Sequence, residues 1–170
     1  ENDLDHLLYN ERDHIDDLKI LRDAAVLIAV TDRPEPGVIF VQRPQHMRNH
    51  PGQVAFPGGK IDPGDRDPID AALREAHEEV ALDRSHVDII GMTDSFQSGS
   101  GYNIQPVLGV IPPDLPFVAD PTEVESWFEA PLDFLLDPKN RKVHEGTWNG
   151  RKRHYYEIYW QDYRIWGITA

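Results

Sequence analysis

The sequence has no cysteine and no long apolar run, and these two absences exclude several classes of protein. Without cysteine there are no disulfide bonds, no thiolate nucleophile and no cysteine-ligated zinc. The longest apolar run, residues 24–30, is far shorter than the ~20 residues that a membrane-spanning helix needs. No basic and apolar leader opens the chain, so we expect a cytoplasmic protein.

Positive charge is also scarce. The chain has 17 Lys and Arg against 30 Asp and Glu, which gives a formal net charge of −13. A field of this sign repels nucleic acid and anionic membranes at long range, so we expect neither as a partner. An anionic small molecule would bind only where a local basic cluster or bound cations offset that field.

The order of sequence patterns predicts one α+β domain. A length of 170 residues fits a single core, and residues 68–81 have the apolar period of a helix. A weaker helical period in the acidic start predicts an N-terminal helical extension over residues 1–23, before a domain over residues 24–170. Strands are predicted at residues 24–31, 38–41, 54–56, 87–90 and 104–111, and residues 57–59 are expected to end the third of them. Two further strands, at residues 142–148 and 151–160, flank Asn149-Gly150, a pair typical of a type I′ hairpin turn.

The helix predicted over residues 68–81 carries three carboxylates on one side. At ~100° per residue, Glu75, Glu78 and Glu79 share an arc of about 100°. Like charges at this spacing destabilise a bare helix, and a bound cation reverses that effect. Carboxylates suit Mg²⁺ or Mn²⁺, hard ions that also bind phosphate oxygens. On the same projection the apolar side chains form a separate stripe at about 100° to 160°, which predicts that the carboxylates lie beside the packed face.

Arg74 directly precedes the first of these carboxylates. We expect its guanidinium to hold Glu75 through a bidentate contact and to keep that carboxylate ionised. The alternative is a solvated acidic helix face, which is common in acidic proteins. That alternative explains neither the Arg-Glu pair nor the glycines upstream at residues 58–59.

Residues 59–82 resemble the Nudix box, which is Gly, five residues, Glu, seven residues, then Arg-Glu-apolar-x-Glu-Glu-x-Gly-apolar. The Arg-Glu-x-x-Glu-Glu core is intact from Arg74 to Glu79. The match has three departures from the pattern, two in residue type and one in spacing. Asp65 stands for the first Glu and is separated from Arg74 by eight residues instead of seven, so the resemblance assigns it no metal role. Ala81 replaces the Gly, at a helix end where a left-handed cap disfavours alanine.

The resemblance implies a Nudix hydrolase: an α/β/α sandwich around a mixed sheet that cleaves nucleoside diphosphates linked to another moiety. It implies that Glu75 and Glu79 coordinate Mg²⁺ or Mn²⁺ most directly and that Glu78 supports them. It also implies that Arg74 orients Glu75, and it suggests the backbone carbonyl of Gly58 as a further ligand.

Members of this family often take their general base from a loop outside the box. By that similarity the base of this chain is Glu123 or Glu125, in the segment Pro-Thr-Glu-Val-Glu-Ser over residues 121–126. Glutamates on surface loops are common, so a purely solvated role is the alternative for both.

The segment before the box is basic in an otherwise acidic chain. It contains Arg43, His46, Arg48 and His50, and two guanidiniums near a metal site suit a polyanionic ligand. Pairing of both arginines with surface acids is the alternative. The segment also resembles the signature of coenzyme A-hydrolysing Nudix proteins, Arg-x-His-x-Gly-Gln-x-x-Phe-Pro-Gly-Gly, and the resemblance extends over residues 24–170. It implies hydrolysis of CoA to 3′,5′-ADP and 4′-phosphopantetheine, with Arg43, Arg48 and His50 contacting the substrate.

Three other functions compete with this one. The first is a Nudix hydrolase of ADP-ribose or NADH. The second is a catalytically silent module that binds nucleotides, which the intact Arg-Glu-x-x-Glu-Glu core argues against. The third is a structural Ca²⁺-binding helix, for which the EF-hand loop pattern is absent. In each enzymatic reading the partner is a small nucleotide, and a homodimer remains open.

Overall fold

The computed structural model describes residues 21–47, 50–148 and 151–170, with only the backbone described for residues 148 and 151–153. Within these ranges two helices are longer than one turn, α1 (Pro68–Val80) and α2 (Leu132–Leu136). The strands are β1 (Arg22–Thr31), β2 (Gly37–Gln42), β3 (Val54–Ala55), β4 (Gly58–Lys60), β5 (Asp88–Met92), β6 (Phe96–Gln97), β7 (Tyr102–Ile111), β8 (Ser126–Pro131), β9 (Lys142–Trp148), β10 (Arg151–Trp160) and β11 (Tyr163–Trp166).

Eight of these strands form one mixed sheet, as predicted. Its central path runs β3-β2-β1-β7-β5, while β4 pairs with β1, β6 with β7 and β8 with β2. The pairing of β1 with β7 is parallel and extends over ten residue pairs, and the other pairings in this sheet are antiparallel. The remaining three strands form a separate antiparallel sheet in the order β11-β10-β9.

Alternation along the central strands places apolar side chains on both faces of the mixed sheet, because successive residues of a strand point to opposite sides. One face packs against α1, and its core includes Ala25, Leu27, Ala72, Ala76 and Val80. The other face packs against α2 and the three-stranded sheet, with a core that includes Val38, Phe40, Phe128, Ile158 and Ile165. The predicted three layers are therefore present, and the layer opposite α1 is part helix and part sheet.

Helix α1 has a defined start and a strained end. The Asp67 carboxylate accepts a hydrogen bond from the Asp70 N–H, and Pro68 occupies the first turn, where its missing donor costs nothing. At the other end Ala81 adopts the left-handed conformation, with φ of 57°. Its N–H donates to the His77 carbonyl at 2.9 Å, which satisfies a helix-end acceptor. The left-handed cap is therefore formed by Ala81, although alanine disfavours this conformation.

Within the described residues, the predicted strands and the helix predicted at residues 68–81 are confirmed with one correction. Residues 57–59 were expected only to end a strand, but Gly58–Lys60 forms β4, which pairs with β1. Gly58 has φ of 156°, and a Cβ there would collide with the backbone of Ala25, so only glycine lets the chain pass so close to β1. Tertiary pairing here overrides the low strand propensity of glycine. Strands β6 and β11 were not predicted.

Two predictions fall on residues outside the described ranges. These are the helical spacing in residues 1–20 and the turn at residues 149–150; strands β9 and β10 on either side of that turn do pair antiparallel, with Trp148 opposite Arg151. Among the described residues, no helix is long and apolar enough to cross a membrane.

Candidate metal centre

Glu79 lies on the buried face of α1 with the half-buried Glu75 next to it, so the expectation that the carboxylates lie beside the packed face is wrong for Glu79. Glu79 is 4% exposed, and on the helix it is surrounded by the fully buried Ala71, Ala72 and Ala76. Alanines are small enough to let the helix approach the sheet closely, so the carboxylates are drawn in between helix and sheet.

Two consecutive glycines of β4 contact these carboxylates in different ways. A Cβ on Gly59 would come within 2.5 Å of the Glu75 carboxyl carbon, so any side chain there would displace Glu75. The N–H of Gly58 donates to Glu79 Oε2 at 3.0 Å. The predicted role of the Gly58 carbonyl as a metal ligand stays a prediction, whereas its N–H holds a carboxylate in place.

Glu123 joins these two carboxylates from a distant loop. One carboxylate oxygen from each of Glu75, Glu79 and Glu123 lies within 4.8 Å of the other two. Glu123 is exposed, whereas the other two are buried or half-buried. Glu125, the other base candidate, is not in this cluster; its N–H donates to the Gln42 carbonyl at 2.9 Å.

Arg74 connects the cluster to Glu78 and Asp65. Its Nη1 donates to Glu75 Oε1 at 3.0 Å and to Glu78 Oε2 at 3.1 Å. The predicted bidentate contact exists, but with a different partner: Nε and Nη2 both lie 2.9 Å from the carboxylate of Asp65. The hydrogen bonds from Arg74 lower the pKa of Asp65, whose side chain is 4% exposed. Asp65 therefore anchors Arg74, and Arg74 contacts Glu75 through one nitrogen only.

Glu78 has a different environment from its two neighbours. Its side chain is half-exposed, and its described contact is with Arg74. It is not one of the three carboxylates that share the 4.8 Å cluster. Its link to Glu75 is the guanidinium of Arg74, which donates to both carboxylates. A supporting role for Glu78 stays a prediction.

The cluster is electrostatically unsatisfied without a cation. The pKa of Glu79 is raised to about 8, mainly by burial and also by Glu75 and Glu123, while the Gly58 N–H and the Arg43 charge oppose the shift. Burial also raises the pKa of Glu75, against the effect of Arg74. Oxygens bound to one Mg²⁺ at 2.0–2.1 Å lie no more than about 4.2 Å apart. The separations of at most 4.8 Å are close to that limit, so the three carboxylates fit a hard divalent cation.

Arg43 follows β2 and is the predicted substrate residue that lies near the cluster. Its backbone N–H donates to the Gln53 carbonyl at 2.9 Å, and its charge lowers the pKa of Glu79. Its Nε is buried, and no residue in the described ranges accepts a hydrogen bond from it. Leaving a buried donor unpaired costs ~1–3 kcal/mol, which an anionic ligand would recover. His50 is exposed on the following loop with φ of 53°, and Arg48 lies outside the described residues.

Comparison with known proteins identifies relatives of this chain. A family model described as the NUDIX domain matches residues 21–150. The chain is 44% identical over 149 residues to the uncharacterized Nudix hydrolase NudL of Escherichia coli K12, an alignment that covers 88% of this chain and 78% of NudL.

Solved structures agree with that match. RenU, a Nudix hydrolase from M. smegmatis, superposes with a TM-score of 0.58 at 21% identity and covers 68% of this chain and 74% of its own. The NUDIX domain of Shewanella oneidensis NrtR, complexed with ADP ribose, superposes with a TM-score of 0.52 at 18% identity over 80% of this chain and 87% of its own. These likenesses confirm the predicted fold.

Proposed function

Because the chain belongs to the Nudix hydrolase family, we propose that it hydrolyses coenzyme A and its derivatives with a divalent cation bound at Glu75 and Glu79. Hydrolysis of a pyrophosphate linkage is the reaction of this family, so the chain is a pyrophosphohydrolase. The proposed products are 3′,5′-ADP and (acyl-)4′-phosphopantetheine. The observation that supports the metal site is that three carboxylates, two of them from α1, converge on one point.

Mg²⁺ or Mn²⁺ is the proposed cofactor, and such an ion, when bound, neutralises and polarises phosphoryl oxygens. Glu75 and Glu79 hold it, since burial leaves both carboxylates without water to stabilise their charge. Arg74 keeps Glu75 oriented, and it is itself fixed by Asp65. Arg74 is therefore a positioning residue with no proposed contact to substrate.

Glu123 is the proposed general base. It is the exposed member of the cluster, so its carboxylate can reach an attacking water and accept a proton from it. The backbone N–H of Gly58 and the half-exposed Glu78 complete the surroundings without taking part in proton transfer.

Arg43 supports the choice of a polyanionic substrate. The buried, unpaired Nε beside Glu79 provides a donor for a phosphate oxygen, in a chain whose net charge of −13 otherwise opposes anion binding. The resemblance of residues 42–59 to the signature of CoA-hydrolysing proteins supports CoA in particular. Arg48 and His50, on the same segment, are proposed to contact the same substrate.

The competing substrates are ADP-ribose and NADH. The bound ADP ribose of NrtR belongs to a protein that is only 18% identical, and it carries no substrate information for this chain. CoA differs from both by its 3′-phosphate, which adds close to two negative charges near neutral pH. The basic segment around Arg43 favours the more highly charged ligand.

A product-identification assay tests the proposal. CoA, 3′-dephospho-CoA, ADP-ribose and NADH are incubated in parallel with Mg²⁺ or Mn²⁺, and the products are identified by mass spectrometry. We expect the highest kcat/KM with CoA, release of 3′,5′-ADP, and no turnover after chelation. A Glu79→Gln preparation purified in the same way controls for contaminating hydrolases. Faster cleavage of ADP-ribose or NADH than of CoA would contradict the substrate and leave the reaction class unchanged.

A further inference from the structure

Glu123 is the member of the cluster whose position requires stabilisation from its surroundings. Two carboxylates repel it, and in the described part of the chain no side-chain hydrogen bond holds its own carboxylate. It also lies on a loop, 44 residues after Glu79. Some feature of that loop must therefore fix the backbone from which Glu123 extends.

Asp120 makes a compact turn three residues before Glu123. Its Oδ1 accepts hydrogen bonds from the Thr122 N–H at 2.9 Å and from the Thr122 hydroxyl at 2.7 Å. Its carbonyl accepts from the N–H of Glu123 at 3.1 Å and from the N–H of Val124 at 2.8 Å. Val124 is itself 1% exposed in the core, which anchors the far side of the turn.

The same residue connects this turn to helix α1. The Asp120 N–H donates to the carbonyl of Glu79 at 2.9 Å, and the Val118 N–H donates to the carbonyl of Val80 at 3.0 Å. Carbonyls in the last turn of a helix lack partners within the helix, so these two bonds satisfy them. The loop is thus hydrogen-bonded to the backbone of Glu79, and the side chain of the same residue belongs to the cluster.

We infer that Asp120 is a positioning residue that holds Glu123 against Glu75 and Glu79, an inference that rests on the proposed function of this cluster. Its side chain closes the turn through Thr122, and its backbone joins that turn to the box helix. Without the side-chain bonds, repulsion within the cluster displaces Glu123 from the metal-binding arrangement. Both metal affinity and kcat then fall, while KM changes little because Arg43 and its loop are untouched.

Substitutions at Asp120 separate this role from a general structural one. Asp120→Ala removes both bonds to Thr122, whereas Asp120→Asn keeps an acceptor oxygen in the same place. A matched control lies three residues after the end of α1: Asp83 Oδ1 accepts from the Ser85 N–H at 2.8 Å and from its hydroxyl at 2.7 Å, outside the cluster. Asp83→Ala therefore deletes the same kind of turn without touching the loop of Glu123.

The readout is Mn²⁺ affinity of the full chain without substrate, by calorimetry, followed by kcat and KM for CoA at saturating Mn²⁺. For Asp120→Ala we expect Mn²⁺ binding and kcat lowered by roughly 10- to 100-fold, the usual effect of losing a group that supports a metal ligand. Asp120→Asn should stay within about threefold of the unsubstituted chain, and Asp83→Ala should bind Mn²⁺ normally. Should Asp120→Ala fail to fold, Thr122→Val against Thr122→Ser provides the same comparison.

The two proposals fail in different ways. Mn²⁺ affinity of Asp120→Ala within threefold of the unsubstituted chain, or an equal loss in Asp83→Ala, would overturn the positioning role. A chain that binds Mn²⁺ but hydrolyses none of the four substrates would overturn the proposed function, while the affinity ratio still decides the inference. A chain with no measurable Mn²⁺ binding would overturn both.

Discussion

Two glutamates of this chain are equally buried and have opposite electrostatic environments. Glu79 on α1 and Glu157 on β10 are each 4% exposed. Burial raises the pKa of Glu157 as it does that of Glu79, but a hydrogen bond from Arg164 and the charge of His144, whose Nε2 lies 2.7 Å away, outweigh it and leave the pKa lowered. Glu79 instead faces two other carboxylates, and its pKa is raised to about 8.

The difference separates a structural carboxylate from a functional one. Glu157 has cationic partners from the chain itself, on β9 and β11, so its charge is compensated on folding. Glu79 lacks such a partner at ion-pair distance within the described ranges, so its compensation must come from outside the chain. A buried acid whose pKa is raised by burial and by like charges is a typical sign of a functional site.

Exchanging each glutamate for glutamine should separate the two roles. For Glu79→Gln we expect turnover to fall by about 10²-fold or more, since a ligand charge is lost, while the fold is retained. For Glu157→Gln we expect near-normal turnover but a loss of about 1–3 kcal/mol in the free energy of unfolding, because Arg164 and His144 lose their counter-charge. Steady-state kinetics and urea unfolding of both variants measure this. Similar kinetic losses in the two variants would remove the distinction.

Arg74 and Asp65 provide a second test of the comparison. Asp65 is a buried acid that does not belong to the cluster but fixes Arg74, which contacts Glu75. We expect Arg74→Ala to lower kcat by roughly 10- to 100-fold with little change in KM. Asp65→Asn should repeat part of that loss, because it weakens the two 2.9 Å contacts that fix the guanidinium. Initial rates over a range of CoA concentrations separate kcat from KM. A large rise in KM at unchanged kcat would show that Arg74 contacts the substrate instead.

The two glutamates should also give opposite pH dependence of stability. Glu79 has its pKa raised from 4.5 to about 8 in the folded state, so the folded chain binds more protons than the unfolded chain between these values. Its contribution to stability is therefore full below about pH 4.5 and is lost as the pH rises towards 8. Glu157 has its pKa lowered from 4.5, so its contribution to stability is full above about pH 4.5 and is lost as the pH falls further below that value.

Thermal unfolding in metal-free buffer from about pH 2 to about pH 9 tests these signs, because the two windows together span that range. We expect Glu79→Gln to flatten the decline above pH 5, and Mg²⁺ to restore stability there in the unsubstituted chain. Glu157→Gln should instead flatten the acid limb. An unchanged decline between pH 5 and 8 in Glu79→Gln would contradict the assigned burial effect.

The smallest effect concerns the end of α1. Ala81 holds a left-handed conformation with φ of 57°, which costs a residue with a side chain ~1–2 kcal/mol more than glycine. Allowing for the greater flexibility of glycine in the unfolded chain, Ala81→Gly should stabilise the protein by about 0.5–1 kcal/mol and leave turnover unchanged. Chemical unfolding measures it; a destabilised variant would show that the alanine methyl group contributes packing that outweighs its strain.

The sequence predicted the box helix and its carboxylates well, because both depend on short-range spacing. Residues 68–81 were predicted and residues 68–80 are helical, and the Arg-Glu contact at adjacent positions is present. The face of the helix was predicted less well. The projection relied on the larger apolar residues, while the packed face is centred on small alanines that carry little hydrophobic signal.

Contacts between distant parts of the chain were harder to predict from the sequence. Glu123 was named from its loop position, but nothing in the sequence shows that the loop bonds to the end of α1 through Asp120. The partner of Arg74 at Asp65 depends on how the chain folds back before the helix, which composition does not reveal. The strand at residues 58–60 has low propensity and forms only because β1 supplies its partner.

The central claim is that Glu75 and Glu79 bind a divalent cation beside Glu123, and anomalous diffraction from crystals soaked in Mn²⁺ tests it most directly. We expect a peak between helix α1 and strand β4, about 2.0–2.6 Å from carboxylate oxygens of Glu75 and Glu79. The same soak of Glu79→Gln crystals should weaken or remove the peak. A manganese peak elsewhere on the chain, or none at a concentration that supports hydrolysis, would contradict the account.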